Sequence, residues 1–441
     1  MDNQDQTQKN NSNAKETLEL RTERITRMLN SRYVVIGKKE IRGWHAWLAI
    51  GIVAGVTASV FLVANKSGEF EPSKAVNAYQ CNPNPSTPIF LPGVTQIGNP
   101  AYCPKIKNPL YDLKQGPVVL VDEGHNNYGT LSPSADSPSA GRVFALGELL
   151  QADGFVVKPL TGSITASSLS GAKILVLSLA LSAPYQVLNS SPEVWVHNPA
   201  AFSVDKSAYS STEIAAILDW VRAGGSLVIN SEHTPFTIAM ESLVEAFGFR
   251  LNPNAMGVLA TSTTSFKKST PLHPIFRGRN SEEAIRVVPY IAGGSKISFL
   301  SDAAVPLFEA PLASVMFDLT PKGFEASFQL YECVTYGLWF PLDSPDQGCE
   351  VYNLPQESKF YSAAGTVVAA SRTFGKGRVA VFTEFLSFTS QLVGSAKGIE
   401  LIYAGLKDER SKLLYPGVPE SPNADNTQII LNTFHWLAFK L

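Results

Sequence analysis

Two acid–imidazole clusters dominate the sequence, Asp122-Glu123-Gly124-His125 and Glu232-His233. Each follows directly on an apolar run, at 118–121 and 226–230. Carboxylates and imidazoles gathered in one cleft can pass protons between a general acid and a general base, or hold a divalent metal. Asp122, His125, Glu232 and His233 are therefore the candidate catalytic residues, and Asp122, His125 and His233 the candidate ligands if a divalent metal is the cofactor. Glu384, which ends another apolar run, joins Glu123, Arg142, His273 and His435 as candidate binding residues. The metal signal is weak, since no H-E-x-x-H pair occurs. Acids at strand ends also cap helices, and histidines there brace loops, so chemistry and bracing both stay open. No G-x-S-x-G elbow is present, which disfavours a standard α/β-hydrolase. No cysteine follows a strand beside a histidine, which removes the obvious thiol nucleophile. Ser231, just before Glu232, is the one oddly placed hydroxyl. Phe374-Gly375-Lys376-Gly377 lacks the spacing of a phosphate loop and precedes a strand, so it reads as a turn.

Scattered positions become one site only if the fold gathers them. In an open α/β sheet, ligands bind beyond the carboxyl ends of the strands. Short apolar runs at 118–121, 155–158, 174–178, 226–230, 366–370 and 378–383 read as strands. Helical periodicity appears over 139–152, 235–247 and 427–439. Ser210-x-x-Glu213 is a capping box that opens a further helix, closed by Gly224-Gly225. Strands alternating with helices predict a mostly parallel sheet covered on both faces. Such a sheet would bring the loops carrying Asp122, Glu123, His125, Glu232, His233 and Glu384 to one edge. Arg142, in the first turn of the helix after the first strand, would face that edge too.

Charge and hydropathy divide the chain. Its net charge is −2, but residues 1–43 hold nine basic and six acidic side chains, leaving the remainder at −5. That balance argues against a nucleic-acid partner. Residues 47–64 carry no ionisable side chain, and at about 1.5 Å per residue the run is long enough to cross a bilayer. The basic excess before it predicts a cytoplasmic tail over 1–43, a single-pass anchor over 44–65 in the inner membrane, and an extracytoplasmic remainder. A cleaved signal peptide is the rival, disfavoured by the long segment preceding the apolar run. Residues 66–115, rich in Pro and Asn, read as a stalk. An α/β domain then occupies 116–441, with an irregular insertion over about 280–365. Cys81, Cys103, Cys333 and Cys349 all lie beyond the apolar run, which fits two disulfides, Cys81–Cys103 and Cys333–Cys349 being the local choice.

Several stretches resemble bacterial glutamine-amidotransferase-like domains of unknown function. They are Val-Asp-Glu-Gly-His at 121–125, Trp-Val-Arg-Ala-Gly-Gly-Ser-Leu at 220–227, Glu-His-Thr-Pro-Phe at 232–236, Gly-Lys-Gly-Arg-Val-Ala-Val-Phe at 375–382 and Leu-Asn-Thr-Phe-His-Trp-Leu at 431–437. The resemblance covers about 117–279 and 363–439 and implies a flavodoxin-like three-layer sandwich. Active members use a cysteine on a strand-to-helix elbow, and this chain has none there, so glutamine hydrolysis does not carry over. Three functions follow as expectations. The first is binding of a small polar ligand or envelope partner at the sheet edge. The others are hydrolysis by the acid–His cluster, with or without a metal, and a structural role in an envelope complex.

Overall fold

In the computed structural model, the described residues are 79–318 and 360–441, with short gaps at 86–89, 134–137, 139–140, 203–205, 259–264, 290–293, 312–313, 396–397, 407, 409, 411–413 and 415–424, together with 33–36 and 39–42. The chain divides into two compact units, Met1–Val76 and Asn77–Leu441. In the first, Tyr33–Ile36 and Lys39–Arg42 pair as an antiparallel hairpin. The expected anchor over 44–65 and the pair Cys333–Cys349 lie outside the described residues. Among those described, no helix is long and apolar enough to cross a membrane.

The second unit is built on nine strands: β1 (Val118–Asp122), β2 (Val156–Leu160), β3 (Ala172–Ser178), β4 (Ser226–Asn230), β5 (Ser265–Lys268), β6 (Val288–Pro289), β7 (Val305–Glu309), β8 (Val367–Phe374) and β9 (Gly377–Phe382). Their order across the sheet is β6-β5-β7-β8-β9-β4-β3-β1-β2. Pairings from β2 through β1, β3 and β4 to β9 are parallel. Those from β9 through β8, β7 and β5 to β6 are antiparallel. The expected mostly parallel, flavodoxin-like sandwich is therefore corrected to a mixed sheet. The physical reason is the turn at 374–377. Gly375 takes φ +59°, a left-handed conformation that costs glycine little, and it folds β9 back on β8 where a crossover helix would have kept the strands parallel.

Among the described residues the α-helices are α1 (Phe144–Ala152), α2 (Ser211–Ala223), α3 (Phe236–Ala246), α4 (Pro274–Arg277) and α5 (Asn426–Leu437). The first starts five residues later than its periodicity suggests, because Gly141 at φ +66° holds a turn there. Both arms of the capping box at α2 are formed, Ser210 accepting from the Glu213 N–H and Glu213 accepting from the Ser210 N–H. Residues alternate between the two faces of the sheet, and so does the core. Val121, Val176, Val228 and Phe382 pack with α1, α5 and Phe236. Leu120, Leu177, Ile229 and Val381 pack with α2 and α3. Each such side chain contributes about 1.5–3 kcal/mol when fully buried, which fixes the strand register and hence which polar end residue falls on which face.

Ahead of the sheet, the Cys81–Cys103 disulfide closes a loop over this unit. Strand Gln96–Gly98 within that loop pairs with Ser390–Ser395.

Candidate functional site

Parallel strands carry Asp122, Ser178, Asn230 and Phe382 to one edge as their last residues. Between β1 and β3 the strand order reverses, the place where open sheets form a crevice. The two acid–imidazole loops both leave this edge, but they are built differently.

Asp122 lies on the α2 side, wholly buried. Its carboxylate accepts from the Gly124 N–H at 3.1 Å, the Asn127 amide at 3.1 Å and the Tyr209 hydroxyl at 2.9 Å. His125 Nδ1 sits 2.8 Å from the same carboxylate, and Nε2 sits 2.9 Å from Glu213 Oε1. An ionised carboxylate only accepts, so both ring nitrogens donate and the imidazole is cationic. Burial opposes that charge, but Asp122 and Glu213 together raise the His125 pKa. Burial likewise opposes the Glu213 charge, and it is outweighed by bonds from Ser210, the Ile164 N–H and His125, which hold the carboxyl at about 2. This cluster is internally complete: it ties the β1 loop to the first turn of α2. It does not fit a metal, because both His125 nitrogens are committed to carboxylates. Among the described residues no group of three or more His, Cys, Asp or Glu is arranged to hold an ion.

The second loop lacks a close carboxylate–imidazole pair. His233 Nδ1 is 2.5 Å from the Thr234 carbonyl, to which it donates, and Nε2 faces Glu232 Oε2 at 3.8 Å, beyond hydrogen-bond reach. Glu232 makes no hydrogen bond among the described residues, and 13 % of its side chain is exposed. Burial pushes its carboxyl up to about 7, against the lowering influence of Arg142. Beside it, the Asn230 carboxamide, Ser231 Oγ and Ser178 Oγ are buried with no hydrogen-bond partner. Ser178 and Asn230 are register partners on adjacent strands, on the face opposite Asp122. Unpaired buried groups of this kind typically cost about 1–3 kcal/mol each, so this row is where an added hydrogen-bonding partner would gain most.

The other candidates have settled duties. Arg142 spends all five donors, on the Pro138 carbonyl, the Gln96 side chain and carbonyl, Gln391 Oε1 and the Tyr128 hydroxyl. Its guanidinium lies 4.0 Å over the Tyr128 ring. Glu123 accepts from the Leu131 N–H at 2.6 Å and braces the loop; its pKa is raised by burial, opposed by that bond and reinforced by Asp122. Glu384 caps the 3-10 turn Phe385–Phe388 through the Ser387 N–H and hydroxyl.

Two histidines leave the edge altogether. His435 donates from Nε2 to Asp153 at 2.7 Å, at the start of β2. His273 caps α4, contacts Ser371 Oγ at 3.2 Å and packs on Trp436. Burial first, and then Arg378, lower its pKa to about 4. Sequence reasoning missed Tyr209 and Asn127 as partners of Asp122, and Glu213 as a partner of His125. It also missed Asn230 and Ser178, whose only signal is a polar residue ending an apolar run.

No family model matches this chain. A search of characterised proteins also returns no match. Among solved structures, the mmIFT52 N-terminal domain overlaps 73% of this chain and 97% of its own at 13% identity, with a TM-score of 0.39. A ThuA-like protein from Bacteroides uniformis overlaps 76% and 94% at 11% identity, TM-score 0.31. The cytoplasmic protein STM3548 from Salmonella typhimurium overlaps 73% and 98% at 10% identity, TM-score 0.31. No family is assigned. The expected membership among glutamine-amidotransferase-like domains is thus corrected, since no family model supports it and overlaps this distant carry neither family nor activity.

Proposed function

We propose that the chain binds a small polar ligand at the carboxyl edge of β3 and β4, on the side of Glu232 and His233. The observation that carries this reading is the carboxyl of Glu232, unbonded and shifted to about 7, beside the unpaired Asn230, Ser231 and Ser178. A fold seldom leaves that many buried polar groups unmatched unless something else matches them. The Asp122–His125 cluster supports the edge mechanically and does not meet the ligand. The disulfide Cys81–Cys103 favours an oxidising, extracytoplasmic location.

A second reading rests on the same pair. A carboxyl that titrates near neutrality beside an imidazole can act as general acid and base, so the edge also suits a metal-independent hydrolysis. Ligand-detected NMR on the purified chain tests binding. Glu232→Ala and His233→Ala should abolish it, whereas Glu123→Ala should leave it intact, and the opposite pattern overturns the reading. Hydrolysis requires in addition that the parent protein turn the bound molecule over and that both variants fail to.

A further inference from the structure

From the chemistry of this edge we infer that its ligand is uncharged and rich in hydroxyl groups, a saccharide-like polyol. This rests on reading the edge as a ligand site and adds the class of molecule. The polar groups left unmatched are a carboxamide and two hydroxyls. Each of them both donates and accepts, as a hydroxyl of the ligand does. A carboxamide would pair with two such hydroxyls at once.

Charged ligands find less here. The cation nearest to Glu232 in effect is Arg142, and its five N–H groups are all consumed by neutral acceptors within the protein. An anion would receive no direct hydrogen bond from it. A cation would need Glu232 fully ionised, and burial keeps that carboxyl partly protonated at neutral pH.

The same face of the sheet carries an aromatic part of the core. Tyr128, Tyr185 and Phe236 stand with ring centroids 4.4, 5.3 and 5.9 Å apart, and the His233 ring is 5.8 Å from Phe236. The loop bearing Tyr128 is tied to the same row, for the Tyr128 N–H donates to the Leu179 carbonyl and the Leu179 N–H to the Asn230 carbonyl. Rings beside a few neutral polar groups would suit a molecule that presents C–H faces and hydroxyls together.

Calorimetric titration of the full chain with glucose, maltose, glucosamine and inorganic phosphate tests the class. Glucose or maltose should bind at least about tenfold more tightly than glucosamine or phosphate. Asn230→Leu should weaken that binding about tenfold or more while keeping or raising thermal stability, because it removes an unmatched carboxamide. Tighter binding of glucosamine or phosphate, abolished by Asn230→Leu, would overturn the class and leave the ligand edge standing. If no probe binds and Asn230→Leu simply stabilises the fold, the row is structural and both readings fall.

Discussion

In the loop after β1, a cationic imidazole is held between two carboxylates, and every polar group around it is matched. In the loop after β4, a carboxyl and an imidazole of the same types stand 3.8 Å apart, beside groups with no partner. Sequence composition cannot separate the two, since both are acid–His pairs at the end of an apolar strand. The difference lies in what the neighbouring elements supply. The β1 loop meets the capping box of α2, which brings Glu213 and Tyr209, whereas the β4 loop runs straight into α3, whose first turn offers Phe236 and no acid. A matched cluster stabilises; the unpartnered Asn230, Ser231 and Ser178 are the groups the proposed ligand would meet.

Removing the centre of the matched cluster is the harshest way to break this contrast. Asp122→Ala strips four hydrogen bonds and leaves the buried His125 cation short of a counter-charge. A loss of about 3–5 kcal/mol in urea unfolding is expected. A loss no larger than that of Glu232→Ala would erase the distinction.

Glu232 should show its difference through pH. Its folded carboxyl titrates near 7 against an ordinary 4.5, so between those values the folded chain holds more protons than the unfolded one. Stability therefore falls as pH rises across that window, by up to roughly 3 kcal/mol. Glu232→Gln should remove this slope and be the more stable protein above neutral pH, as unfolding curves across the window would show. An unchanged slope would place the carboxyl in water.

The smallest effect belongs to Glu384, which caps a short turn. Glu384→Ala should cost about 1 kcal/mol and leave binding at the Glu232 edge untouched, which calorimetry checks. Lost binding would extend the ligand edge to β9.

Much of this was legible in the sequence. The five parallel strands and the α2 capping box could be read from apolar runs and from Ser210-x-x-Glu213, because both signals are local. The antiparallel half was not, since β5, β6 and β7 are two to five residues long and carry no periodicity of their own. Nor could spacing show that His125 meets Glu213, 88 residues away. His435 reads from the sequence as a candidate binding residue farther from the edge, and α5 delivers it to Asp153, ahead of β2. A helix face can be read from sequence, but which end of the sheet its last turn reaches depends on packing.

The contrast between the loops is tested most directly by one NMR titration that follows the Glu232 carboxyl and the His125 ring together. Glu232 should titrate near 7, and His125 should stay doubly protonated above its ordinary 6.5. The contrast would be contradicted if Glu232 titrated near 4.5 and His125 at or below its ordinary 6.5.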